Sequence, residues 1–455
     1  MQLAEDAINI AQLSDSRSWQ TNREPRISFM SKFVSCWRLC FVLLIPFIVM
    51  TAQAAIGQEK SANLRSAVIE ENALAVGVDI QKLAKATAAL QALVDDKKIA
   101  GAVMMVSRRG NTVLADSVGL GRLEPKQPMQ LDSIFRIYSM TKAVTSVAAM
   151  QLVEQGKLEL DDPVSKHLPE LAALQLESET QSAIPTVRDL LRHTSGLTYG
   201  IFGDTPVDRK YRSAGILSRN DSNEVLVEKL SKIPLQYKPS TRFLYSVSSD
   251  VLGRLVEVVS GNTLEVQFSK NIFVPLGMQD TGFYVPEEKA SRFVDNFGPK
   301  EAGGLKTVEH ASSSQYLRAQ AFQSGGGGLV STAGDYMRFC NMLCGFGELD
   351  GVRLLTTKTV RDMSRNQLPK DAYPIEMNGL ARQGVGFGLG FSVVVEPISG
   401  FEYVPQGEYG WGGAASTHFW ISPKHDLAVV VLSQIMPFTF QCESAVKPLI
   451  YGALK

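Results

Sequence analysis

The sequence predicts an α/β (α+β) fold: one antiparallel sheet flanked by helices and completed by both ends of the chain, with an inserted, mostly helical domain. The chain has 455 residues, enough for one large domain or two. Its middle part, to about residue 310, is mainly helical with long polar loops. Strands at both ends with helices between them are typical of one sheet to which both ends contribute. Strand-like patterns occupy residues 102–108, 112–118, 387–395, 414–421 and 427–432.

These patterns divide the chain into four parts. Residues 1–54 are predicted to be an N-terminal extension and signal peptide, and residues 55–78 an irregular lead-in. Residues 79–165 and 311–455 are predicted to form the α/β domain, and residues 166–310 the inserted helical domain.

Residues 30–54 have the three parts of a signal peptide. A basic start is followed by the apolar run 39–50 and by small residues around Ala54 that form a cleavage site. The run is short for a membrane-spanning helix, so we expect no stable membrane span in the mature protein. We therefore expect export to the periplasm or the medium. Whether Met1 or Met30 is the true start stays open.

The composition excludes some classes of partner. Apolar residues make up 45% and charged residues 20%, with a formal net charge of +0, so nothing predicts binding to nucleic acid or to an anionic membrane. Two of the five cysteines lie in the signal peptide, and the remaining three have no metal-ligand spacing. Cys340 and Cys344 fit a helical core, and a disulfide involving Cys442 stays open. The oligomeric state stays open too.

The first elements can be placed residue by residue. Asp79 is a candidate N-cap for a helix, and a turn at Gly110-Asn111 joins the first two strands. The apolar face of that helix contains Leu83, Ala86, Leu90 and Leu93.

Helix ends and turns also mark the later elements. Residues 186–197 predict a short helix that ends at Gly196. Residues 251–259 predict a longer helix that ends at Gly261. The last two strands are predicted to form a hairpin around residues 423–426.

The segment Ser139-Met140-Thr141-Lys142 opens a helix predicted over residues 143–156. A serine and a lysine three positions apart lie on one face of a helix, and the helix N-terminus favours negative charge developing on the serine oxygen. A desolvated lysine can take the serine proton. The pair therefore predicts a nucleophile, Ser139, with its own base, Lys142.

A single Ser-x-x-Lys match has an ordinary explanation, since an N-cap serine beside a surface lysine occurs by chance. Here the helix that follows is apolar almost all round, and such a helix is normally buried. A lysine in its first turn is poorly placed to be a surface residue, which favours the catalytic interpretation.

Tyr245 is the second candidate. It precedes the helix predicted over residues 251–259, where a lone tyrosine is usually a core aromatic. As a catalytic group, its phenol would share the nucleophile's proton with Lys142 and deliver that proton to the leaving group.

Trp411-Gly412-Gly413-Ala414, at the start of a late strand, is the third candidate. Glycines there let the backbone approach a substrate closely, and the N–H groups of Ser139 and Ala414 are then candidate oxyanion donors. A bulge beside an aromatic core residue is an equal alternative.

Gly325 to Gly328 form a run of four glycines. No Gly-Lys-Ser/Thr follows, which argues against a phosphate-binding loop. We expect a tight structural loop at the edge of the site.

Together these motifs resemble the class C β-lactamase-related serine hydrolase family. The branch that the chain resembles most is the family VIII carboxylesterases, whose third motif is often Trp-Gly-Gly. The similarity covers roughly residues 80–450, in the family's order. The motifs that carry it are Ser139–Lys142, Leu190–Leu197, Tyr245–Val247 and Ser324–Thr332.

The resemblance implies a β-lactamase/penicillin-binding-protein-like fold with the site between the α/β domain and the helical domain. It implies Ser139 as nucleophile, and Lys142 and Tyr245 as base and acid. It also implies the Ala414 N–H as an oxyanion donor.

Two departures from the family pattern bear on the substrate. Val247 stands where β-lactamases usually have the Asn of Tyr-x-Asn, and Trp411-Gly412-Gly413 stands where they usually have Lys-Thr-Gly. An amide and a cation that would hold a β-lactam are therefore missing. The chain also has no Gly-x-Ser-x-Gly elbow, which argues against an ordinary α/β-hydrolase.

The sequence therefore predicts an exported serine hydrolase, a carboxylesterase that acts on small-molecule esters or amides through an acyl-enzyme. This chemistry needs no metal and no organic cofactor. The alternatives are a β-lactamase or D-Ala-D-Ala carboxypeptidase-like enzyme, an acyltransferase, and, less favoured, a non-catalytic penicillin-binding-type protein.

Overall fold

The structure is a computed structural model that describes residues 66–177, 179, 181–377 and 379–455. The signal peptide predicted over residues 30–54 lies outside the described residues. Ala67–Lys455 form one compact unit. Within the described part of the chain, no helix combines the length and the apolar character needed to cross a membrane.

The centre of the fold is an eight-stranded sheet in which every neighbouring pair is antiparallel. In spatial order the strands are β12 (Val385–Phe387), β13 (Ser392–Val394), β14 (Tyr409–Gly413), β15 (Thr417–Ser422), β16 (Leu427–Ser433), β1 (Gly101–Arg108), β2 (Asn111–Leu123) and β3 (Lys126–Pro128). Because β1 pairs with β16 inside the sheet, the prediction that both ends of the chain complete one antiparallel sheet is confirmed.

In the described part of the chain, four two-stranded ribbons supplement this sheet. They pair β4 (Phe135–Arg136) with β7 (Val330–Ser331), β5 (Asn296–Pro299) with β6 (Leu305–Glu309), β8 (Glu348–Leu349) with β9 (Val352–Arg353), and β10 (Glu376–Met377) with β11 (Leu380–Ala381). Strand β4 lies shortly before the predicted nucleophile in sequence, and β7 follows the glycine run. Their pairing therefore holds these two segments together.

The helices flank the sheet and fill the middle of the chain. From residue 80 onward the α-helices are α1 (Ile80–Asp95), α2 (Thr141–Glu154), α3 (Val187–Leu191), α4 (Pro206–Ala214), α5 (Asn223–Leu230), α6 (Ser248–Ser260), α7 (Leu264–Phe268), α8 (Val274–Leu276), α9 (Ala333–Cys344), α10 (Thr357–Met363) and α11 (Gln441–Gly452). Helices α3 to α8 fall within the predicted helical domain, whose boundaries at 166 and 310 stay a prediction. The lead-in predicted as irregular over 55–78 is partly helical, since residues 66–75 form a helix.

Both faces of the sheet are buried, which explains why its central strands are almost continuously apolar. Along β1, Ala102, Met104 and Val106 pack in the core that contains α1 and α11, while Val103 belongs to the larger core around α2. The alternation follows from the two-residue period of a strand. Helix α2 therefore lies against one face of a sheet that is covered on the other side as well.

Several sequence predictions of local structure hold. The Asp79 carboxylate caps α1 by accepting the Lys82 N–H at 3.1 Å. The turn between β1 and β2 consists of Arg109 and Gly110, with φ of 51° and 77°, one residue earlier than predicted. Two successive left-handed residues match the right-handed twist of a two-stranded hairpin. The late hairpin around residues 423–426 is also confirmed.

The single strand predicted over 387–395 is wrong in detail, because β12 and β13 form a hairpin there. Gly390 turns the chain with a φ of 110°. A Cβ at this position would lie 2.3 Å from the Ser146 hydroxyl oxygen on α2. The chain turns here because it passes very close to that helix.

The three described cysteines, Cys340, Cys344 and Cys442, have free thiols. Burial raises the pKa of the Cys344 and Cys442 thiols to about 12, so neither is a thiolate near neutral pH. They are small core residues, and the disulfide left open for Cys442 is not formed.

Candidate active site

Ser139 lies in a short turn, Tyr138–Met140, that leads into α2. Tyr138 has a φ of 41°, a left-handed conformation that is costly for a tyrosine and is found where the surroundings impose it. Strand β14 is one such constraint, since a Cβ on Gly413 would lie 2.3 Å from the Ile137 carbonyl oxygen. The turn therefore presents Ser139 beside the end of β14.

The Lys142 side chain is fully buried, as the apolar character of α2 predicted. Its amine donates to the Ser139 hydroxyl at 3.1 Å, to the Tyr199 hydroxyl at 2.9 Å and to the Gly326 carbonyl at 2.6 Å. An ammonium group has three protons, so these bonds account for all of its donors. The lysine is thus held in direct contact with the serine.

Tyr245 reaches the same amine in a different way from the one predicted. The Lys142 amine lies 4.6 Å from the centroid of the Tyr245 ring, over its face. The Tyr245 hydroxyl accepts a hydrogen bond from the Trp411 indole at 3.3 Å. The structure therefore brings Tyr245 to the site, with its ring against the lysine and its hydroxyl toward Trp411.

Tyr199 is the residue that the sequence analysis missed, although its phenol bonds directly to Lys142. It lies two positions beyond Leu190–Leu197, so a signal was present in the residues that follow this motif. Burial, followed by the charges of Tyr245 and Asp250, raises the pKa of Tyr199 well above its usual value. The group remains a protonated phenol in the resting site.

His193, from the same motif, supports Tyr245 from behind. The two rings are 4.9 Å apart, and the His193 carbonyl and Nδ1 accept the N–H groups of Leu244 and Ser246 at 2.8 and 3.3 Å. Burial, with the nearby Lys142 as a smaller cause, lowers the pKa of His193 well below its usual value. A neutral ring is required here because Nδ1 acts as an acceptor.

The glycine run forms the wall of the site behind Lys142. The carbonyl groups of Gly325 and Gly326 accept from Thr145 and Lys142, at 2.7 and 2.6 Å. A Cβ on Gly326 would lie 2.5 Å from an Asp250 carboxylate oxygen and 3.0 Å from the Tyr199 hydroxyl. The loop therefore needs glycine in order to place its carbonyl against the lysine.

Trp411, Gly412, Gly413 and Ala414 lie where β14 ends beside the nucleophile turn. The Trp411 ring packs against Tyr245 at 5.4 Å and edge-on against Phe387 at 5.2 Å. Among the described residues, no acceptor is found for the N–H of Ser139 or of Ala414. Two free donors next to a nucleophile are what an oxyanion site needs.

Val247 is an apolar core residue. It is fully buried in the core that contains α2, so it presents no polar group to a ligand. Its neighbours Ser246 and Ser248 bond to each other at 2.8 Å, and Ser248 bonds to Ser195 at 2.7 Å. These hydroxyls tie the segment after Tyr245 to the segment before Tyr199.

Exposed apolar side chains flank the site on two sides, and we call Ile201, Phe202, Phe438 and Phe440 the apolar rim. All four are at least 41% exposed. The Phe202 ring lies edge-on to Tyr199 at 5.7 Å, and Phe438 would be 2.8 Å from a Cβ on Gly412. An apolar ligand could therefore contact both the rim and the catalytic groups.

Comparison with known proteins identifies the family. A family model described as Beta-lactamase matches residues 86–445. Protein Rv1367c of Mycobacterium tuberculosis is 34% identical over 363 residues, which cover 77% of this chain and 89% of the relative. Lovastatin esterase of Penicillium rubens is 32% identical over 378 residues, which cover 76% of this chain and 92% of the relative.

A solved structure supports the same assignment. EstCE1, a hydrolase with promiscuous acyltransferase activity, superimposes with a TM-score of 0.72 and 27% sequence identity. The superposition covers 82% of this chain and 99% of that protein. The antiparallel sheet, the flanking helices and these similarities lead to one conclusion: the chain belongs to the β-lactamase family of serine hydrolases.

Proposed function

We propose that this protein is a carboxylesterase that cleaves small esters through an acyl-enzyme on Ser139. The observation that carries the proposal is the fully buried Lys142 amine, 3.1 Å from the Ser139 hydroxyl and bonded to one phenol and one carbonyl of the described residues. Activation of serine by a neighbouring amine is the established chemistry of a Ser-x-x-Lys pair.

In the proposed reaction Lys142 acts as the neutral amine: the Ser139 oxygen attacks the ester carbonyl, and the serine proton passes to the free lone pair of Lys142. The N–H groups of Ser139 and Ala414 stabilise the negative oxygen of the tetrahedral intermediate. The alcohol leaves with a proton that is relayed by the phenols of Tyr199 and Tyr245. Water then cleaves the acyl-serine bond and releases a carboxylic acid, with Ser139 regaining its proton.

The features that favour an ester over a β-lactam lie on β14 and in the apolar rim. Trp411 offers an indole where a lactam carboxylate would need a cation, and Val247 is turned into the core. Desolvating a carboxylate without a cationic partner is costly. A neutral ester makes no such demand, and its apolar groups can pack on Trp411 and the apolar rim.

Arg382 is the cation that would be needed for the lactamase alternative. Its guanidinium lies 5.3 Å from the Phe440 ring, at the apolar rim. Burial lowers the pKa of Arg382, with the charge of Glu443 acting in the opposite direction. Its guanidinium therefore lies against an aromatic ring of the apolar rim and within the electrostatic influence of Glu443.

Acyl transfer is the second candidate, because an alcohol can replace water in the last step. EstCE1, which has promiscuous acyltransferase activity, is 27% identical in sequence. The apolar rim would favour the binding of an apolar alcohol over bulk solvent. We also propose that the enzyme is exported, on the basis of the signal-like residues 30–54.

The deciding experiment is to label the purified protein with a fluorophosphonate, map the modified peptide, and then test a panel of esters, amides and β-lactams. Modification of Ser139 and turnover of a short-chain p-nitrophenyl ester would support the proposal. Transfer is tested by adding an apolar alcohol and measuring the new ester against the free acid. An unlabelled, inactive native protein would favour the non-catalytic alternative.

A further inference from the structure

Asp250 lies in the first turn of α6 and is 1% exposed, yet it does not cap its own helix. One carboxylate oxygen, Oδ1, accepts the Ser324 hydroxyl and the Gly326 N–H, the latter at 3.0 Å. The Gly326 carbonyl in turn accepts the Lys142 amine at 2.6 Å. The carboxylate and the amine are therefore connected through the backbone on the two sides of one glycine residue.

The second carboxylate oxygen, Oδ2, is buried and has no hydrogen-bond partner among the described residues. It would lie 2.5 Å from a Cβ on Gly326, beside the Tyr199 hydroxyl, which would lie 3.0 Å from the same atom. A buried carboxylate oxygen without a partner costs stability, and such a group calls for an explanation. Among the described residues, Asp250 neither caps its own helix nor forms an ion pair, so neither role explains the buried oxygen.

The hydrogen-bond acceptors of Lys142 indicate that Asp250 provides charge compensation for the lysine. The lysine is fully buried, and its three acceptors, a serine, a tyrosine and a carbonyl, are all uncharged. A buried cation is favourable only with compensating charge or strong hydrogen bonds. The charge of Lys142 in turn opposes the rise in the pKa of Asp250 that burial causes.

We propose that Asp250 is a positioning residue for the nucleophile–base pair. By accepting the Gly326 N–H it fixes the backbone of Gly326, whose carbonyl holds Lys142, and it supplies a buried negative charge that compensates the charge of the lysine. This inference rests on the proposed function, since it assumes that Lys142 is the base. The hydrogen-bond partners of Asp250 are Ser324 and Gly326 and not Ser139, so it acts through the backbone that holds Lys142.

The test is Asp250→Asn, which keeps an oxygen for the Ser324 and Gly326 donors and removes the charge. We expect kcat for a p-nitrophenyl ester to fall about tenfold, with KM changed less than about threefold, because the lysine becomes a weaker base while the substrate site is intact. We also expect the acidic limb of the kcat/KM profile to move to lower pH, because the neighbouring ammonium loses a compensating charge. The other titratable groups of the site are Lys142, Tyr199, His193 and Tyr245.

A matched control is Asp335→Asn. Asp335 is also a buried carboxylate in the first turn of a helix, α9, and burial also raises its pKa. It accepts the Asp280 N–H at 2.6 Å and the Thr281 hydroxyl at 2.9 Å, and makes no hydrogen bond to Lys142 or the described glycine run. We expect this variant to lose stability while kcat and the pH profile stay those of the parent.

If Asp250→Asn does not fold, Ser324→Ala replaces it, because it removes one of the two donors that fix Oδ1 and leaves the carboxylate in place. We expect a fall in kcat of a few fold at unchanged KM. A parent-like kcat and pH profile in a folded Asp250→Asn, or a parent-like kcat in Ser324→Ala, would overturn the inference. An inactive parent would instead refute the proposed function, so the two failures are distinguishable.

Discussion

The Lys142 amine donates to the Tyr199 hydroxyl across 2.9 Å, from the first turn of α2 to a loop almost sixty residues further along the chain. Tyr245, the tyrosine that the sequence motifs point to, gives the same amine its ring face. Two phenols therefore contact the proposed base: Tyr199 through its oxygen and Tyr245 through the face of its ring. This arrangement makes the roles of the two tyrosines separable by mutation.

Replacement of either member of the nucleophile–base pair should stop the reaction. We expect Ser139→Ala to abolish fluorophosphonate labelling, and Lys142→Ala to lower kcat/KM by roughly 10³-fold or more, because residues that act as a unit are strongly non-additive. Mass spectrometry of the labelled protein and ester kinetics measure the two effects. Labelling of Ser139→Ala at native stoichiometry would contradict the assignment of the nucleophile.

Tyr199→Phe should lower kcat by about 10- to 100-fold, since it removes a hydroxyl that contacts the base while the ring stays in place. Tyr211→Phe is the control, because Tyr211 is a buried tyrosine of the nearby helix α4 whose pKa burial also raises. Steady-state ester kinetics on both variants provide the comparison. Tyr199→Phe with at least half of the parent kcat would remove Tyr199 from the mechanism.

Tyr245→Phe tests the other phenol. It breaks the bond from the Trp411 indole but keeps the ring against Lys142. If the Tyr245 hydroxyl delivers the proton to the leaving group, kcat should fall most for esters of poorly acidic alcohols and least for p-nitrophenyl esters. Equal losses for ethyl and p-nitrophenyl esters of one acid would argue against that role.

His193 should make stability depend on pH. Its pKa is lowered in the folded protein, so below about pH 6.5 the unfolded chain binds a proton that the native site does not. Stability is therefore lost as the pH falls below this value, by at most about 1.4 kcal/mol per pH unit. His193→Asn keeps an acceptor for the Ser246 N–H and should flatten this part of the profile. Denaturant unfolding at pH 7.5 and 5.5 measures the difference, and equal slopes in parent and variant would refute it.

Esters should be better substrates than β-lactams. We expect kcat/KM for p-nitrophenyl butyrate to exceed that for a chromogenic cephalosporin, because Trp411 offers no charge where a lactam carboxylate would need a cation. Arg382→Ala separates the alternatives: it should leave ester hydrolysis unchanged, and would lower cephalosporin hydrolysis only if Arg382 binds the carboxylate. A higher kcat/KM for the cephalosporin would replace the esterase proposal with the β-lactamase alternative.

Much of the fold could be predicted from the sequence because its signals are local. The Asp79 cap, the hairpins and the buried helix α2 each depend on residues close in the chain. The strand predicted over 387–395 failed because Gly390 turns against Ser146, a contact between distant segments that periodicity does not contain.

The candidate site also combines a contact that the sequence predicts with contacts that it does not. Ser139 and Lys142 are one helical turn apart, so their contact follows from the spacing alone. Tyr199 and Asp250 reach the lysine through a loop and through the Gly326 peptide, and the sequence gives no measure of those approaches. Glycine at 326 marks where they occur, because a side chain there would collide with the Asp250 carboxylate and the Tyr199 hydroxyl.

The pairing of β1 with β16 has a consequence for biosynthesis. A ribosome makes Ser139 and Lys142 long before it makes Ala414, and the central partner of β1 is later still. A nascent chain therefore holds its nucleophile and base without the strand that completes the oxyanion site or the one that fills the sheet. If the proposed mechanism holds, we expect no ester cleavage before the C-terminal strands have emerged and docked.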